Sequence, residues 1–239
     1  MRRRLLEVCV DDAAGLQAAI EGGADRIELC SALSVGGLTP SPGLMALAAE
    51  APVPVHAMIR PRAGAFLYDE ADLRQMENDI RTVAGFGLEG IVIGANHADG
   101  RLDEGALARL LSAAEGLPAT LHRAIDLVPD VNAAVDLAVS LGFERILTSG
   151  GEKTALAGLE RIAGMLARAA GRIEIMPGSG ITVDTVGPIL ARLADVDIHA
   201  SCSSPGAEEP ENVLALGFAT GPQKRTDALK VRALKARMG

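Results

Sequence analysis

Short apolar runs that alternate with helix-like segments constrain the fold of this sequence more than any other feature. Eight such runs occur, and the spacing from one to the next is that of a single strand–helix unit. The runs cover residues 5–10, 26–30, 53–60, 90–94, 119–124, 145–149, 173–176 and 197–201. Residues that favour helix N-termini precede the segments between them, and a last helix is predicted over 224–238. The N-terminal residues are Asp11 or Asp12, Ser41, Asp69, Asp103, Asp130 and Thr182.

Eight alternations without a low-complexity linker predict an α/β fold of the (β/α)8 or TIM-barrel type. We expect a single domain over residues 1–239, with the barrel core over about 1–204 and a C-terminal loop and helix over 205–239. A doubly wound open sheet is the alternative. It usually has a glycine-rich turn after its first strand, whereas this chain has Val10-Asp11-Asp12-Ala13 there.

Composition excludes several classes of function. The formal net charge is −8, and the chain has one tyrosine and no tryptophan, so it lacks both the cationic surface and the stacking residues that nucleic acid binding requires. No apolar run is long enough to span a bilayer. Three scattered cysteines do not form a disulfide pattern. We therefore expect a cytoplasmic protein that binds neither nucleic acid nor membrane.

Polar side chains occur at alternate positions of several predicted strands, although parallel strands are usually apolar on both faces. Alternate positions share one face of a strand, and most of these lie late in the strand, where barrel enzymes build their active sites. His122 would be a general acid or base with Asp126 orienting it, and Arg60 would hold an anion or neutralise a glutamate. The alternative for each is a hydrogen-bonded interior residue. The catalytic candidates are Glu7, Glu28, Arg60, His122, Asp126 and His199.

Glycine-rich turns follow the sixth and seventh predicted strands, and serine ends the eighth. Backbone amides in such turns can cradle an anion, and barrel enzymes often hold phosphate after strands seven and eight. The alternative is that the glycines only permit tight turns. The predicted anion-binding residues are Arg62, Ser149, Gly150, Gly178, Ser179, Gly180 and Ser201.

Cys9 and Cys30 fall late on strands that are neighbours in a barrel, on the same face as the glutamates. Two thiolates about 5 Å apart can bind Cu(I), with Met58 or a histidine assisting. The alternative is that both thiols are small buried apolar groups. Cys202 follows the eighth strand, and no partner is predicted for it.

Five motifs resemble the CutC family, named for copper homeostasis. They are LEVCV at 6–10, GGADRIELCS at 22–31 with GGLTPS at 36–41, MIRPR at 58–62, HRAID at 122–126, and RILTSG at 145–150 with its echo MPGSGI at 176–181. The resemblance implies a cytoplasmic (β/α)8 barrel that forms dimers or higher oligomers and binds Cu(I) at Cys9 and Cys30. Segment 205–221 departs from the family, in which it is commonly longer.

Two main functions follow. The first is a copper-homeostasis protein that binds Cu(I) through Cys9 and Cys30. The second is a metal-independent barrel enzyme acting on a small anionic or phosphorylated metabolite, with Glu7 or Glu28 as base, His122 as acid and 178–180 as phosphate cradle. A zinc hydrolase using the histidines is a weaker third choice, because no two histidines have a short ligand spacing.

Overall fold

Eight parallel strands form a nearly closed barrel in the computed structural model, which describes residues 3–239. The sheet order is β7-β6-β5-β4-β3-β2-β1-β8, and the end strands β7 and β8 lie side by side. The predicted (β/α)8 barrel is confirmed, and the open doubly wound alternative is wrong. Residues 1–2 of the predicted domain lie outside the described residues. The strands are β1 (Leu6–Val10), β2 (Arg26–Leu29), β3 (Val55–Met58), β4 (Gly90–Ile93), β5 (Ala119–Leu121), β6 (Arg145–Thr148), β7 (Glu174–Pro177) and β8 (Ile198–Ala200).

Helices follow the strands and begin where the sequence placed their N-terminal residues. The carboxylates of Asp12, Asp69, Asp103 and Asp130 each accept a backbone N–H in the first turn, which satisfies donors that a helix start leaves free. None of the helices within 3–239 has both the length and the apolar character needed to cross a bilayer. The helices are α1 (Ala13–Gly22), α2 (Pro42–Ala48), α3 (Glu70–Gly85), α4 (Glu104–Ala113), α5 (Val131–Leu141), α6 (Leu159–Ala169), α7 (Val183–Arg192), α8 (Glu211–Ala215) and α9 (Ala228–Met238).

The C-terminal segment differs from its prediction. Residues predicted to start the last helix form instead a short strand, β10 (Lys224–Thr226), which pairs antiparallel with β9 (Ser203–Pro205). The predicted start of the helix over 224–238 is therefore wrong. Helix α9 begins at Ala228, because Asp227 caps it by accepting the Leu229 N–H at 2.9 Å. Helix α9 packs between α7 and α1 and completes the outer ring that the other helices form.

Strand register stacks the inward-facing side chains in layers, as in other barrels where alternate strands supply each layer. Pairing of Glu7 with Arg26, Cys9 with Glu28, and Glu7 with His199 fixes the order along the barrel axis. The lower layer is polar, and soft or polar groups continue upward. From the lower layer to the upper, the members are Glu7, His56, Thr120 and Met176; then Glu28, Val92, Leu147 and His199; then Cys9, Met58, His122 and Gly178.

Charges in the lower barrel are paired across strands. Arg26 donates from Nε to Glu7, and both side chains are buried. Arg145 donates to the Thr120 hydroxyl at 3.2 Å and to Nδ1 of His56 at 3.3 Å. Burial and the two arginines lower the pKa of His56 to about 4, so its ring is a neutral acceptor. Pairing of this kind is required because an unpaired buried charge costs several kcal/mol.

Gly90 provides a test of this packing. A Cβ added there would lie 2.8 Å from three ring atoms of His56, so the ring must shift. We expect Gly90→Ala to lower the free energy of unfolding by about 1–3 kcal/mol, measured by urea denaturation. Gly164→Ala in α6 is the matched control, since nothing lies within 4 Å of its added Cβ. That change is expected to stabilise by roughly 0.5–1 kcal/mol through helix propensity. Equal effects of the two changes would contradict the packing of His56 against β4.

Candidate functional site

Three buried side chains from three neighbouring strands converge near the C-terminal ends of β1, β2 and β8. One ligand atom each from Cys9, Glu28 and His199 lies within 4.8 Å of the other two. Nε2 of His199 is 2.9 Å from Oε2 of Glu28. The register explains the meeting: Cys9 lies opposite Glu28, and β8 closes the barrel against β1. Thiol, carboxylate and imidazole are thus gathered in one interior space.

Glu7 lies one layer below and supports this cluster. One of its oxygens accepts from Arg26, and the other lies 3.9 Å from Nε2 of His199. The predicted alternative in which Arg60 neutralises Glu7 and Glu28 is not what the structure has, because Arg26 and His199 are their partners. Glu7 is 1% exposed. Glu7 is therefore a buried residue directly below the cluster of Cys9, Glu28 and His199.

Charge within the cluster is balanced by His199. Burial disfavours the imidazolium, but Glu28 and Cys9 outweigh burial and raise the pKa of His199 well above its usual value. The metal-free site is therefore an imidazolium–carboxylate pair. Oε1 of Glu28 is buried and has no hydrogen-bond partner among the described residues.

Cys30 approaches the same carboxylate from the other side. Its Sγ lies 3.8 Å from Oε2 of Glu28, and its side chain packs against Met58 and Val92. Burial, with Glu28 next in effect, raises the pKa of Cys30 well above its usual value. Gly37 closes over the thiol: its φ is +85°, and an added Cβ would lie 3.1 Å from the sulfur. Only glycine allows the backbone to approach so closely.

Arg60 ties two loops together above the cluster. Its Nη1 donates to the carbonyls of Val35 and Gly37 at 2.9 and 3.0 Å, and its Nη2 donates to Gly64 at 2.8 Å. The guanidinium also lies 5.0 Å from the centre of the Phe66 ring. These bonds engage the guanidinium N–H groups of Arg60 that were predicted to hold an anion. Anion binding by Arg60 stays a prediction.

Arg62, the second residue predicted to hold an anion, lies outside the barrel mouth. It pairs with Asp72 in α3 at 2.8 Å and stacks on Tyr68. The structure does not bring it near His199 or Cys9.

His122 is buried beside Phe66, with the ring centres 4.6 Å apart. Its Nδ1 accepts the Ala124 N–H at 3.1 Å, which leaves the proton of the neutral ring on Nε2. Burial and nearby Arg60 lower the pKa of His122 to about 3. Nε2 has no hydrogen-bond partner in the described part of the chain. His122 is therefore a neutral, buried donor.

Asp126 does not orient His122 by a direct hydrogen bond. Its carboxylate accepts instead from the amides of Ser149 and Gly151 and from the hydroxyl of Thr148, at 3.1, 3.0 and 2.6 Å. It also accepts from Arg123 at 2.8 Å. Asp126 thus occupies the amide cradle that the sequence assigned to an external anion at Ser149 and Gly150.

The turn after β7 packs against the loop that follows β6. Ser179 donates to the carbonyl of Lys153 at 2.8 Å, and a Cβ on Gly180 would lie 2.7 Å from Thr154. A Cβ on Gly178 would lie 2.5 Å from Leu147. Ser201 bonds to Ser203 at 3.1 Å, at the start of the β9–β10 hairpin. Anion binding by this group stays a prediction.

Cys202 has a structural place that the sequence did not predict. It is buried in the main apolar core, its φ is +46°, and burial raises its pKa to about 12. Its thiol is therefore protonated at neutral pH.

The sequence predicted that Cys9, Glu28 and His199 face a shared interior, but it did not single them out as one ligand set. The signal was the alternation of side chains along each strand. Glu7 and Cys9 share a face, as do Glu28 and Cys30. His199 lies on the corresponding face of the eighth strand. Joining them requires the eighth strand to lie beside the first, which is a consequence of barrel closure.

The fold and the site together define a parallel (β/α)8 barrel with a buried thiol–carboxylate–imidazole cluster, a donor set typical of transition-metal sites. The chain belongs to the CutC family, whose model matches residues 4–204. The resemblance found in the motifs is confirmed.

Relatives match over nearly the whole chain. A family protein CutC from Sinorhizobium medicae is 57% identical over 236 residues, covering 99% of this chain and 96% of the relative. The human copper homeostasis protein cutC homolog is 42% identical, covering 97% of this chain and 88% of the relative. The crystal structure of CutC from Streptococcus agalactiae superposes with a TM-score of 0.79 at 33% identity, covering 83% of this chain and 98% of that one.

The neutral state of His122 makes stability depend on pH. Its pKa is about 3 in the folded chain against 6.5 for the free side chain, so the unfolded chain binds the proton more readily. The stability that neutral His122 contributes is complete above about pH 6.5 and is lost as the pH falls towards 3. Between pH 7 and pH 5 this loss is about 2 kcal/mol.

We therefore expect His122→Asn to reduce the fall in unfolding free energy between pH 7 and pH 5, measured by urea titration at both values. Asparagine keeps an acceptor for the Ala124 N–H but does not titrate. His97→Asn, at an exposed histidine, should leave the fall unchanged. An identical fall in His122→Asn and the unchanged protein would show that the ring is not held neutral.

Proposed function

We propose that the chain binds Cu(I) in the cytoplasm through the thiolates of Cys9 and Cys30, with copper as its cargo. The observation that carries the proposal is the approach of both thiols to the Glu28 carboxylate in one buried space. A human relative is named a copper homeostasis protein. Assembly as a homodimer or larger homo-oligomer stays a prediction.

The donor chemistry supports copper. Thiolate and thioether sulfur are the ligands that Cu(I) prefers, and Met58 packs directly against Cys30. Both thiols must lose their protons before they bind, so copper and protons compete for the same sulfurs. Burial, and then Glu28, raise the pKa of Cys30 well above its usual value, so loss of its proton would be coupled to binding of the cation.

The surrounding residues would keep bound copper away from water. Gly37 lies against Cys30, and Arg60 fixes the carbonyls of Val35 and Gly37 above it. Below, the His199–Glu28 pair is neutral as a whole and adds no charge to the cavity. A dry, sulfur-rich cavity of this kind protects Cu(I) from oxidation and exchange.

The test is a Cu(I) titration under anaerobic conditions against a chromophoric Cu(I) chelator. We expect Cys9→Ser and Cys30→Ser each to weaken Cu(I) binding by about a hundredfold or more, since even loss of an outer contact costs ten- to a hundredfold. Cys202→Ser is the matched control and should bind as the unchanged protein does. Copper affinity that survives the double change of Cys9 and Cys30 would overturn this site.

One observation favours the metal-independent enzyme as a second candidate: Nε2 of His122 and Oε1 of Glu28 are buried and unpaired. A small carboxylate or phosphate ester that bonded to His122 would relieve its unmet donor. We expect such a compound to raise the melting temperature of the metal-free protein by linkage, and His122→Phe to abolish the rise. A panel of small anionic metabolites that leaves the melting temperature unchanged would count against this candidate.

A further inference from the structure

We propose that the same cavity has a second, divalent mode, in which Cys9, Glu28 and His199 bind Zn(II) without Cys30. This mode does not require the copper proposal, although the two share Cys9. Each of three strands supplies one ligand, and all three side chains are buried. The site differs from the zinc site considered from the sequence, which relied on His56, His122 and His199.

His56 and His122, the other two histidines of the zinc site considered from the sequence, are excluded from this ligand set by their contacts. The Nδ1 of His56 accepts from Arg145, one layer below the cluster. The Nδ1 of His122 accepts from Ala124, and its ring lies against Phe66, tilted by 45° with the centres 4.6 Å apart. Among residues 3–239, Cys9, Glu28 and His199 are the only group of three or more histidine, cysteine or acidic side chains whose ligand atoms lie close enough to share one ion.

The donor set is mixed, and this decides the metal. One sulfur, one carboxylate oxygen and one imidazole nitrogen are ligands that Zn(II) accepts together, whereas carboxylate is a poor ligand for Cu(I). Three protein ligands with a fourth position open is the usual arrangement of an exchangeable or reactive zinc ion.

The distances fit after small side-chain shifts. Tetrahedral zinc with bonds near 2.0–2.3 Å places its ligand atoms about 3.3–3.6 Å apart. The three ligand atoms lie within 4.8 Å of one another, and Nε2 of His199 is 2.9 Å from Oε2 of Glu28, so the latter pair must move slightly apart. The register of β1, β2 and β8 fixes the backbone positions, so the set would close by shifts of the three side chains.

Charge favours a divalent ion over a monovalent one. Arg26 neutralises Glu7, but no arginine or lysine among the described residues forms an ion pair with Glu28. Zn(II) with one thiolate, one carboxylate and a neutral imidazole is electrically neutral as a unit. Cu(I) with two thiolates carries a net charge of −1 in a buried space even when His199 balances Glu28, which is costly. Oε1 of Glu28 has no hydrogen-bond partner among residues 3–239 and is free to coordinate the ion as a second oxygen.

The experiment compares the Zn(II) and Cu(I) affinities of the same set of variants, starting from metal-free protein. Zn(II) affinity is measured by competition with a chromophoric zinc chelator, and Cu(I) affinity is measured on the same variants. We expect Glu28→Gln to weaken Zn(II) by about a hundredfold or more while Cu(I) changes little. Cys30→Ser should retain Zn(II) and lose Cu(I), and Cys9→Ser should lose both.

Co(II) serves as a spectroscopic probe of the ligand set. Tetrahedral Co(II) with one thiolate gives a sulfur-to-metal absorption band, which we expect in the unchanged protein and in Cys30→Ser but not in Cys9→Ser. Glu28→Asp, which keeps the carboxylate, should recover part of the Zn(II) affinity and serves if Glu28→Gln does not fold. Melting temperatures in the presence of a chelator check that each variant is folded.

The outcomes separate the two proposals. Zn(II) affinity that is unchanged in Glu28→Gln, or lost equally in Cys30→Ser, overturns the divalent mode. Cu(I) affinity that is unchanged in Cys30→Ser overturns the copper site and leaves the divalent mode standing. Zinc bound with equal affinity by all variants would show an adventitious surface ion and also overturn the inference.

Discussion

The buried ion pair between Glu7 and Arg26 sets the charge of the whole barrel interior. Adjacent parallel strands place the two side chains opposite each other, and both are buried. Because Arg26 neutralises Glu7, the carboxylate one layer higher, Glu28, has no guanidinium of its own and takes His199 as its partner. Without Arg26, Glu7 and Glu28 would have only the His199 imidazole as a partner, and an unpaired buried carboxylate costs several kcal/mol. The charge of the groups at the strand ends therefore depends on the Glu7–Arg26 ion pair one layer below them.

Charged side chains in the loops bind backbone groups of the protein itself. Arg60 donates to three carbonyls of two loops, and Asp126 accepts two amides of the turn after β6. The same chemistry recognises an external anion, since an amide does not distinguish the carboxylate of Asp126 from that of a ligand. This is why residue type and spacing indicated an anion site at Ser149 and Gly150, while the structure has an internal bond there. Such contacts depend on which loops meet, which local sequence does not determine.

Much of the fold was predictable from the sequence, and the reasons are local. Strand spacing, the aspartate caps and the absence of a glycine-rich first turn all act within a few residues. The β9–β10 hairpin was missed because Lys224–Thr226 has no alternation of polar and apolar residues and reads as the start of a helix. In the site, parity predicted that Cys9, Glu28 and His199 face inward. It also predicted that acids, thiols and imidazoles share one cavity, but it did not single out these three as one ligand set, because their meeting depends on β8 pairing with β1 across the full length of the chain.

The layers of the barrel order the candidate ligands by softness, and this order would let one cavity accept the two proposed metals. Cys30 and Met58 pack together on the side towards the loops, and the harder donors Glu28 and His199 lie one layer below Met58. The Cys9 sulfur lies within 4.8 Å of ligand atoms of both Glu28 and His199. A soft monovalent ion is satisfied by the upper sulfurs, whereas a divalent ion gains more from the carboxylate and imidazole beneath. In the two proposed modes the chemistry of the ion would set its depth in the cavity, with Cys9 as the ligand common to both.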